Sequence, residues 1–301
     1  MVLGRVGLTG ATGMLGRHLH AALNAEGAEV VAVSRTSTKG VTGWDLAKWL
    51  QHGELDQLFT GVRAVVHAGA LVQPSGEVDQ ARMYDANVRA CLNLGQWALS
   101  RGIPLVHISG AIVYADPCLP IQDESAPLGW SGLGGFYGFS KLLAEDVLGR
   151  LRQQGLKLAL LRPTSIYGQG LDEGKMVRRF LSLASADSVI ELSEPTEDRV
   201  DLVHAADIAR AVVVVLRREC WYTLNLASGD PVSIKTLAKA CLDVSGSGRI
   251  AITGHNPPDY QPKVTYSLDI SRANECLDWV PVIGISSGMK MLLRRQYLTD
   301  N

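Results

Sequence analysis

The stretch LTGATGMLG, Leu8–Gly16, constrains this chain more than any other. It sets Gly10, Gly13 and Gly16 between an apolar run, Val2–Leu8, and an amphipathic stretch, Met14–Ala25. Glycines at such a junction permit a tight turn, a close approach of backbone to a diphosphate, and close packing of helix on strand. The amino end of the helix then faces the phosphates. Glycine also stands at positions 4 and 7, so it recurs every third residue from 4 to 16. A collagen reading fails, because the segment has no proline and the pattern stops there. The spacing is GxxGxxG rather than GxGxxG, a common strand–helix turn taken alone. Its place at the first strand–helix junction of an alternating chain gives it weight.

The alternation runs on. Apolar runs recur at Glu29–Val33, Ala64–Ala68, Pro104–Ile108 and Lys157–Leu161, with amphipathic stretches at Gln80–Arg101 and Tyr137–Arg152 between them. Strands apolar on both faces and separated by helices predict an α/β fold with a parallel sheet covered on both sides. After about Arg162 the rhythm loosens. DLVHA and YTLNLAS alternate with helical patterns near Ala206–Arg217, Ile234–Leu242 and Ile285–Arg295. No flexible linker marks a boundary, so a second lobe interleaved with the first is expected.

Composition narrows the partners. The 301 residues carry a formal net charge of −1 and no basic run, which argues against nucleic acid and anionic membrane. The longest apolar run, AVVVVL from Ala211, is too short to span a bilayer. The first run starts at Val2, which predicts no signal or transit peptide. Cys91, Cys118, Cys220, Cys241 and Cys276 show no CxxC spacing, and a reduced cytoplasmic protein is expected. The seven histidines show no HxH or HExxH spacing, so no metal site is expected. His67, His107 and His204 each adjoin an apolar run and read as strand-end histidines with one nitrogen satisfied.

The second run ends VAVSRT. An acidic residue at position 34 would bind the ribose hydroxyls of NAD. Ser34 stands there, followed by Arg35, whose donor fork suits a 2′-phosphate. NADP is therefore the preferred cofactor and NAD the alternative. Asp45 has two readings: acceptor from the adenine amino group, or helix cap.

The motifs TGATGMLG, VVHAGA (Val65–Ala70), NVRACLNL (Asn87–Leu94), VHISGAIVYA (Val106–Ala115), YGFSK (Tyr137–Lys141), LRPTSIYGQG (Leu161–Gly170), DLVHAADIARA (Asp201–Ala211) and LNLASGDPVS (Leu224–Ser233) occur in this order. In this order they resemble the extended short-chain dehydrogenase/reductase family, the branch that holds the nucleotide-sugar epimerases and dehydratases. The resemblance implies a Rossmann-type doubly wound sheet, residues 1–163 and about 189–226, with a smaller substrate lobe, about 164–188 and 227–301. It implies a cofactor turn at Gly10, Thr12, Gly13, Met14, Leu15 and Gly16, and an adenosine end at Ser34, Arg35, Asp45 and Leu46. Ala68, Gly69, Ala70, Asn87 and Ile108 would line the rest of the groove, with Asn87 propping the adjacent strand. Tyr137, Lys141, Pro163 and Ile166 would reach the nicotinamide. Gly110, Ala111, Thr164 and Arg199 would face substrate, although relatives place an arginine directly before the aspartate and here Val200 intervenes. A homodimer through Gln80–Arg101 and Tyr137–Arg152 is also implied. The first of these helices is apolar nearly all round, so one face wants a further partner.

Tyr137 and Lys141 are four residues apart and share one helix face. A phenol is a poor base at neutral pH, and a neighbouring ammonium favours its anion. Such a pair removes a proton from an alcohol as hydride leaves for a nicotinamide, or protonates a carbonyl that receives hydride. In the relatives a serine or threonine three residues before the valine of VY bonds the reacting oxygen. Here that position is Gly110. Side chains alternate along a strand, so Ser109 and Gly110 point opposite ways, and Ser109 is expected to face away from the substrate unless a bulge shifts the register and makes it the catalytic hydroxyl. An Asp-Glu pair for water elimination is also absent, since Ala111 and Ile112 stand there, and this argues against a dehydratase. Three readings remain: a nucleotide-sugar oxidoreductase or epimerase, a ketoreductase or dehydrogenase of a hydroxysteroid- or flavonoid-type substrate, and a cofactor-binding protein with little catalysis.

Overall fold

The computed structural model describes residues 3–72 and 79–299, and Val2 of the first apolar run lies outside them. In chain order the elements are β1 (Arg5–Thr9), α1 (Met14–Ala25), β2 (Glu29–Ser34), β3 (Thr42–Gly43), α2 (His52–Leu58), β4 (Ala64–His67), α3 (Gln80–Tyr84), α4 (Ala90–Arg101), β5 (Leu105–Ile108), α5 (Gly135–Gln153) and β6 (Leu158–Pro163). There follow β7 (Ser165–Tyr167), α6 (Met176–Ser185), β8 (Val189–Ser193), β9 (Arg199–Val200), β10 (Leu202–His204), α7 (Ala205–Arg218), β11 (Thr223–Leu226), β12 (Val232–Ser233) and α8 (Ile234–Ser245). The chain closes with β13 (Arg249–Thr253), β14 (Val264–Thr265), α9 (Ser271–Leu277) and α10 (Ile285–Thr299). Among the described residues no helix is long and apolar enough to cross a membrane.

The main sheet has the order β11-β6-β5-β4-β1-β2-β3 and every pairing is parallel. The alternation predicts a parallel sheet covered on both sides, and this is the doubly wound Rossmann arrangement that the resemblance implies. The strand order reverses between β1 and β4, and ligands of such sheets bind beyond the carboxyl ends of the strands at that switch. Both faces are covered, which is why the strands read as continuous apolar runs. On one face Leu15, Leu19 and Leu23 of α1 and Ile208, Val212 and Val215 of α7 pack against Val6, Val66 and Val106. On the other, Leu94 and Trp97 of α4 and Ala144, Leu148 and Leu151 of α5 cover Val65, Leu105 and Leu158.

The helix expected over Gln80–Arg101 is broken. Between α3 and α4 lies a single π turn, Asp85–Arg89. Much of its apolar surplus is spent internally: Met83, Val88, Leu94 and Trp97 are buried, and Trp97 packs on Phe59 and donates to Asp56 of α2. Tyr84, Leu92 and Leu99 stay partly or largely open.

The second lobe departs from its expected boundary. β8 pairs with β13, and β9 with β12 and β14, so residues from 189 to 200 do not belong to the main sheet. The chain returns to the Rossmann layer with α7 and β11. The reason is packing: Ile190 and Leu192 join Phe180, Leu181, Leu237 and Met289 in a separate apolar core.

One buried ion pair ties the layers together. Glu145 of α5 and Arg162 of β6 meet at 2.7 Å with both side chains almost wholly enclosed. Arg162 also donates to Tyr114 Oη and Glu124 O, and Tyr114 Oη donates to Asn225 Oδ1 of β11. Removing one partner of such a pair strands a charge in low dielectric. Glu145→Leu is expected to lower unfolding free energy by about 3–5 kcal/mol, and the double variant with Arg162→Met to recover most of it. Urea titrations of the three proteins check this.

Candidate active site

The glycine turn is built by contact. Gly10 takes φ +71°, and a Cβ there would lie 2.7 Å from the Gly69 backbone. A Cβ on Gly16 would lie 1.9 Å from the Gly10 carbonyl oxygen. α1 therefore starts directly against β1 and the loop after β4. Gly13 stands at the N-cap, and among the described residues no side chain caps α1. Its first amides are left for an anion. Thr12 Oγ1 bonds Ser34 Oγ at 2.6 Å, which joins this turn to the end of β2. A groove of about 390 Å³ runs from Gly10, Thr12 and Gly13 past Ser34 and Arg35 to Asp45 and Leu46, with Ala68, Gly69 and Ala70 as its floor. A Cβ-free cradle, open helix amides and a groove along Ser34 and Asp45 fit the adenosine diphosphate half of a dinucleotide. Of the expected lining residues, Leu15 and Ile108 turn their side chains into the core instead.

At the far end of the groove Arg35 is exposed. Asp45 is not a helix cap, since α2 begins at His52. Its Oδ1 accepts from the Ala47 amide at 3.2 Å, and its Oδ2 from Arg82 Nη2 at 2.7 Å. Burial works against the Asp45 charge, but the Arg82 and Ala47 hydrogen bonds outweigh it and hold the carboxyl below the usual range. Arg82 also lines the groove. Sequence reasoning missed it, because a polar stretch 37 residues from Asp45 carries no local signal.

Tyr137 and Lys141 project from the first turns of α5. Lys141 is buried and donates to Ile108 O at 2.8 Å, which fixes its ammonium to the end of β5. Lys141 Nζ lies 5.9 Å from the centroid of the Tyr137 ring. Asn87, in the π turn, clamps the loop after β4 rather than a strand. Its Oδ1 accepts from the Leu71 amide and its Nδ2 donates to Leu71 O and to Ser140 Oγ of α5. The cation has neutral company on one side. Burial holds the His67 imidazole down to about 3 and drives His107 well below its ordinary value, and Lys141 adds to both. Burial pushes the Cys91 thiol up to about 12 against the pull of Lys141.

The facing of Ser109 follows from the ladder. The β5–β6 ladder runs one residue past β5: the Ser109 amide donates to Leu161 O at 2.8 Å, as the Leu105 amide does to Lys157 O. Ser109 thus shares the parity of Leu105 and His107, which turn toward α4 and α5, whereas Val106 and Ile108 turn toward α1 and α7. It lies on the sheet face of Lys141. Its Oγ is buried and has no hydrogen-bond partner among the described residues. The expectation rested on taking Gly110 as the substrate-facing position. Gly110 is extended, at φ 176° and ψ 160°. A Cβ there would stay 3.7 Å from Ile112 Cγ2 and 3.8 Å from Pro163 O, so the position has room for a side chain.

Other expected substrate contacts are otherwise engaged. The Thr164 hydroxyl is buried and donates to Asp201 Oδ1 at 2.6 Å. Ala111 is buried against Tyr114, Ala227 and Leu268. Arg199 is exposed on β9, paired with Ser233 and Val264 in the second lobe. Pro163 ends β6, and Ile166 is partly buried against the main core.

His67, Cys91 and His107 converge beside Lys141, with one ligand atom from each within 4.8 Å of the others. Spacing rules missed this set because it forms across strands: His67 and His107 are register partners on β4 and β5, and their rings stack. The strand-end reading holds for His67, whose Nδ1 bonds Thr9 Oγ1 at 2.7 Å, and for His204, whose Nδ1 accepts from the Ala206 amide.

Known proteins share this architecture. The chain is 28% identical to a dTDP-4-dehydro-6-deoxy-D-allose reductase of a Streptomyces species, over 91% of this chain and 90% of the relative. It is 22% identical to UDP-glucuronic acid decarboxylase 6 of Arabidopsis thaliana, over 96% and 87%. Its fold matches UDP-N-acetylglucosamine 4-epimerase from Bacillus cereus with a TM-score of 0.83 at 23% identity, covering 97% of this chain and 96% of that one. It matches the UDP-glucose 4-epimerase of Thermus thermophilus, in complex with NAD, with a TM-score of 0.81 at 22% identity, covering 96% and 98%. The profile of the NAD dependent epimerase/dehydratase family matches residues 6–225, and the chain is an oxidoreductase- or epimerase-type enzyme belonging to that family.

Proposed function

We propose that this enzyme moves a hydride between a nicotinamide dinucleotide, preferably NADP, and a secondary alcohol or ketone of a nucleotide sugar. The observation that carries the reading is the anchoring of Lys141, one helical turn from Tyr137 on α5, to the carbonyl of Ile108, the residue before Ser109, whose buried hydroxyl has no partner among the described residues. The relatives named for dTDP- and UDP-linked sugars support the substrate class. When bound, the nicotinamide accepts or donates the hydride. Tyr137 moves the proton, taking it from the alcohol or giving it to the carbonyl oxygen. Lys141, pinned by Ile108 O, stabilises negative charge on the Tyr137 oxygen without having to be reoriented. Ser109 Oγ donates to the reacting oxygen, the role that Gly110 cannot fill. This removes the reason for a non-catalytic reading. Incubation with reduced NADP or NAD and a dTDP-linked 4-keto-6-deoxyhexose or UDP-hexoses, followed by reduced-nicotinamide absorbance and product analysis, tests the reaction. A protein that binds dinucleotide yet converts none of these sugars overturns the substrate class.

The catalytic assignment predicts that Tyr137→Phe abolishes turnover and that Ser109→Ala lowers kcat by about 10²–10³ with cofactor affinity intact. Gly110→Ser should change kcat by less than about tenfold, because the added side chain meets only ordinary contacts. Steady-state kinetics of the three variants check this, and an unaffected Ser109→Ala returns the hydroxyl to another source.

The Ser34–Arg35 end of the groove supports NADP. Charge-assisted bonds from Arg35 to a 2′-phosphate contribute roughly 1.5–3 kcal/mol, or about tenfold or more in affinity. Arg35→Ala should therefore bring the NADP and NAD dissociation constants together, and equal constants in the wild type would sink the preference.

A homodimer through α4 and α5 has support in a concave surface of about 640 Å³ between them, where Leu92, Leu99, Val147 and Leu151 meet Gln96 and Arg150. Light scattering at micromolar concentration should give twice the chain mass, and Leu99→Glu should give the single-chain mass.

A further inference from the structure

Each stretch of the groove suits one part of a dinucleotide. The open amides of α1 face a diphosphate, and Ser34 and Arg35 at the end of β2 face the adenosine ribose. Beyond the ribose the groove continues between Asp45–Leu46 and Ala68–Val72, and it ends at the ion pair of Asp45 with Arg82. The base belongs there. The dinucleotide assignment is the reading on which this step rests.

The pair at that end has a specific chemical pattern. A carboxylate and a guanidinium stand 2.7 Å apart on one wall and remain reachable, with side-chain exposures of 24% and 44%. Asp45 spends one lone pair on Ala47 and one on Arg82, and its oxygens retain others. Arg82 has five N–H donors and spends one on Asp45; among the described residues its side chain has no other hydrogen bond. The wall thus offers an acceptor directly beside a donor. Adenine presents the complement on one edge, an amino donor on C6 beside the N7 acceptor. A 6-oxopurine presents two acceptors there, and one of them would meet the carboxylate.

We propose that Arg82 is a base-reading residue: beside Asp45, already read from the sequence as an acceptor for the adenine amino group, it donates to N7 of the cofactor's adenine, so that the pair selects adenine over 6-oxopurines. The ion pair has a second consequence. Arg82 is already held in place by Asp45, so little side-chain freedom is lost when the base arrives. It also links the base to α3, on the same helical segment as Asn87, which clamps the loop after β4.

The test is calorimetric titration of the full chain with three dinucleotides: NAD+, its hypoxanthine analogue, and its 7-deaza-adenine analogue. The wild type should bind both analogues at least about fivefold more weakly than NAD+, the low end of what a good two-point base contact contributes. Arg82→Ala should weaken NAD+ by a similar factor and leave the 7-deaza analogue unchanged, so that the preference for N7 disappears. Asp45→Asn should narrow or invert the preference for the 6-amino group. Arg82 is exposed, so melting temperatures should stay close to the wild type. If Arg82→Ala weakens NAD+ and the 7-deaza analogue equally, Arg82 only props Asp45 and the proposal falls. If the wild type binds neither NAD+ nor NADP+, the cofactor assignment fails first and this one with it. Binding of NAD+ and the hypoxanthine analogue with equal affinity overturns base reading alone.

Discussion

The site depends on three backbones brought into contact without side chains. Gly10 rests on Gly69, and Gly16 rests on the Gly10 carbonyl, at separations that a single Cβ on either residue would close. These contacts place the start of α1 against the loop after β4, at the point where the strand order reverses. A larger residue would push the helix off the sheet and fill the space where a diphosphate must lie. The open helix amides, the position of Ser34 beside Thr12, and the groove beyond them all follow from that close approach.

Charge around Lys141 is set by burial. Lys141 places a cation at the end of β5, and a backbone carbonyl holds it. Behind it, His67, His107 and Cys91 are kept neutral by exclusion of water, with the ammonium reinforcing the imidazoles and opposing the thiol. These three groups therefore offer the ammonium no competing anion. A second buried charge, Arg162, is handled differently. It is neutralised by Glu145 and hydrogen-bonded through Tyr114 to Asn225, so that α5, β6 and β11 keep a fixed spacing. The helix that presents Tyr137 is thereby anchored at both a cation and an ion pair.

Much of the architecture was legible because it is local. Continuous apolar runs report a sheet buried on both faces, and the glycine spacing reports a turn. The four-residue step from Tyr137 to Lys141 reports one helix face. The π turn that carries Asn87 was not legible, since its sequence reads as ordinary helix. The extent of the second lobe was misjudged for a related reason: β8 is apolar enough for either sheet, β9 is only two residues long, and only their partners β13, β12 and β14 decide.

The sequence by itself determined the strand–helix alternation, the glycine cradle and the Tyr137–Lys141 pair, because each depends on neighbours within a few residues. It also determined that Ser109 and Gly110 point opposite ways. Only the tertiary structure decided which of them turns toward α5, because alternation fixes relative facing, and the identity of each face comes from what packs on it. The pairing of Asp45 with Arg82 and the register of His67 beside His107 were likewise settled by chain segments far apart in sequence, whose meeting is set by the order of strands in the sheet.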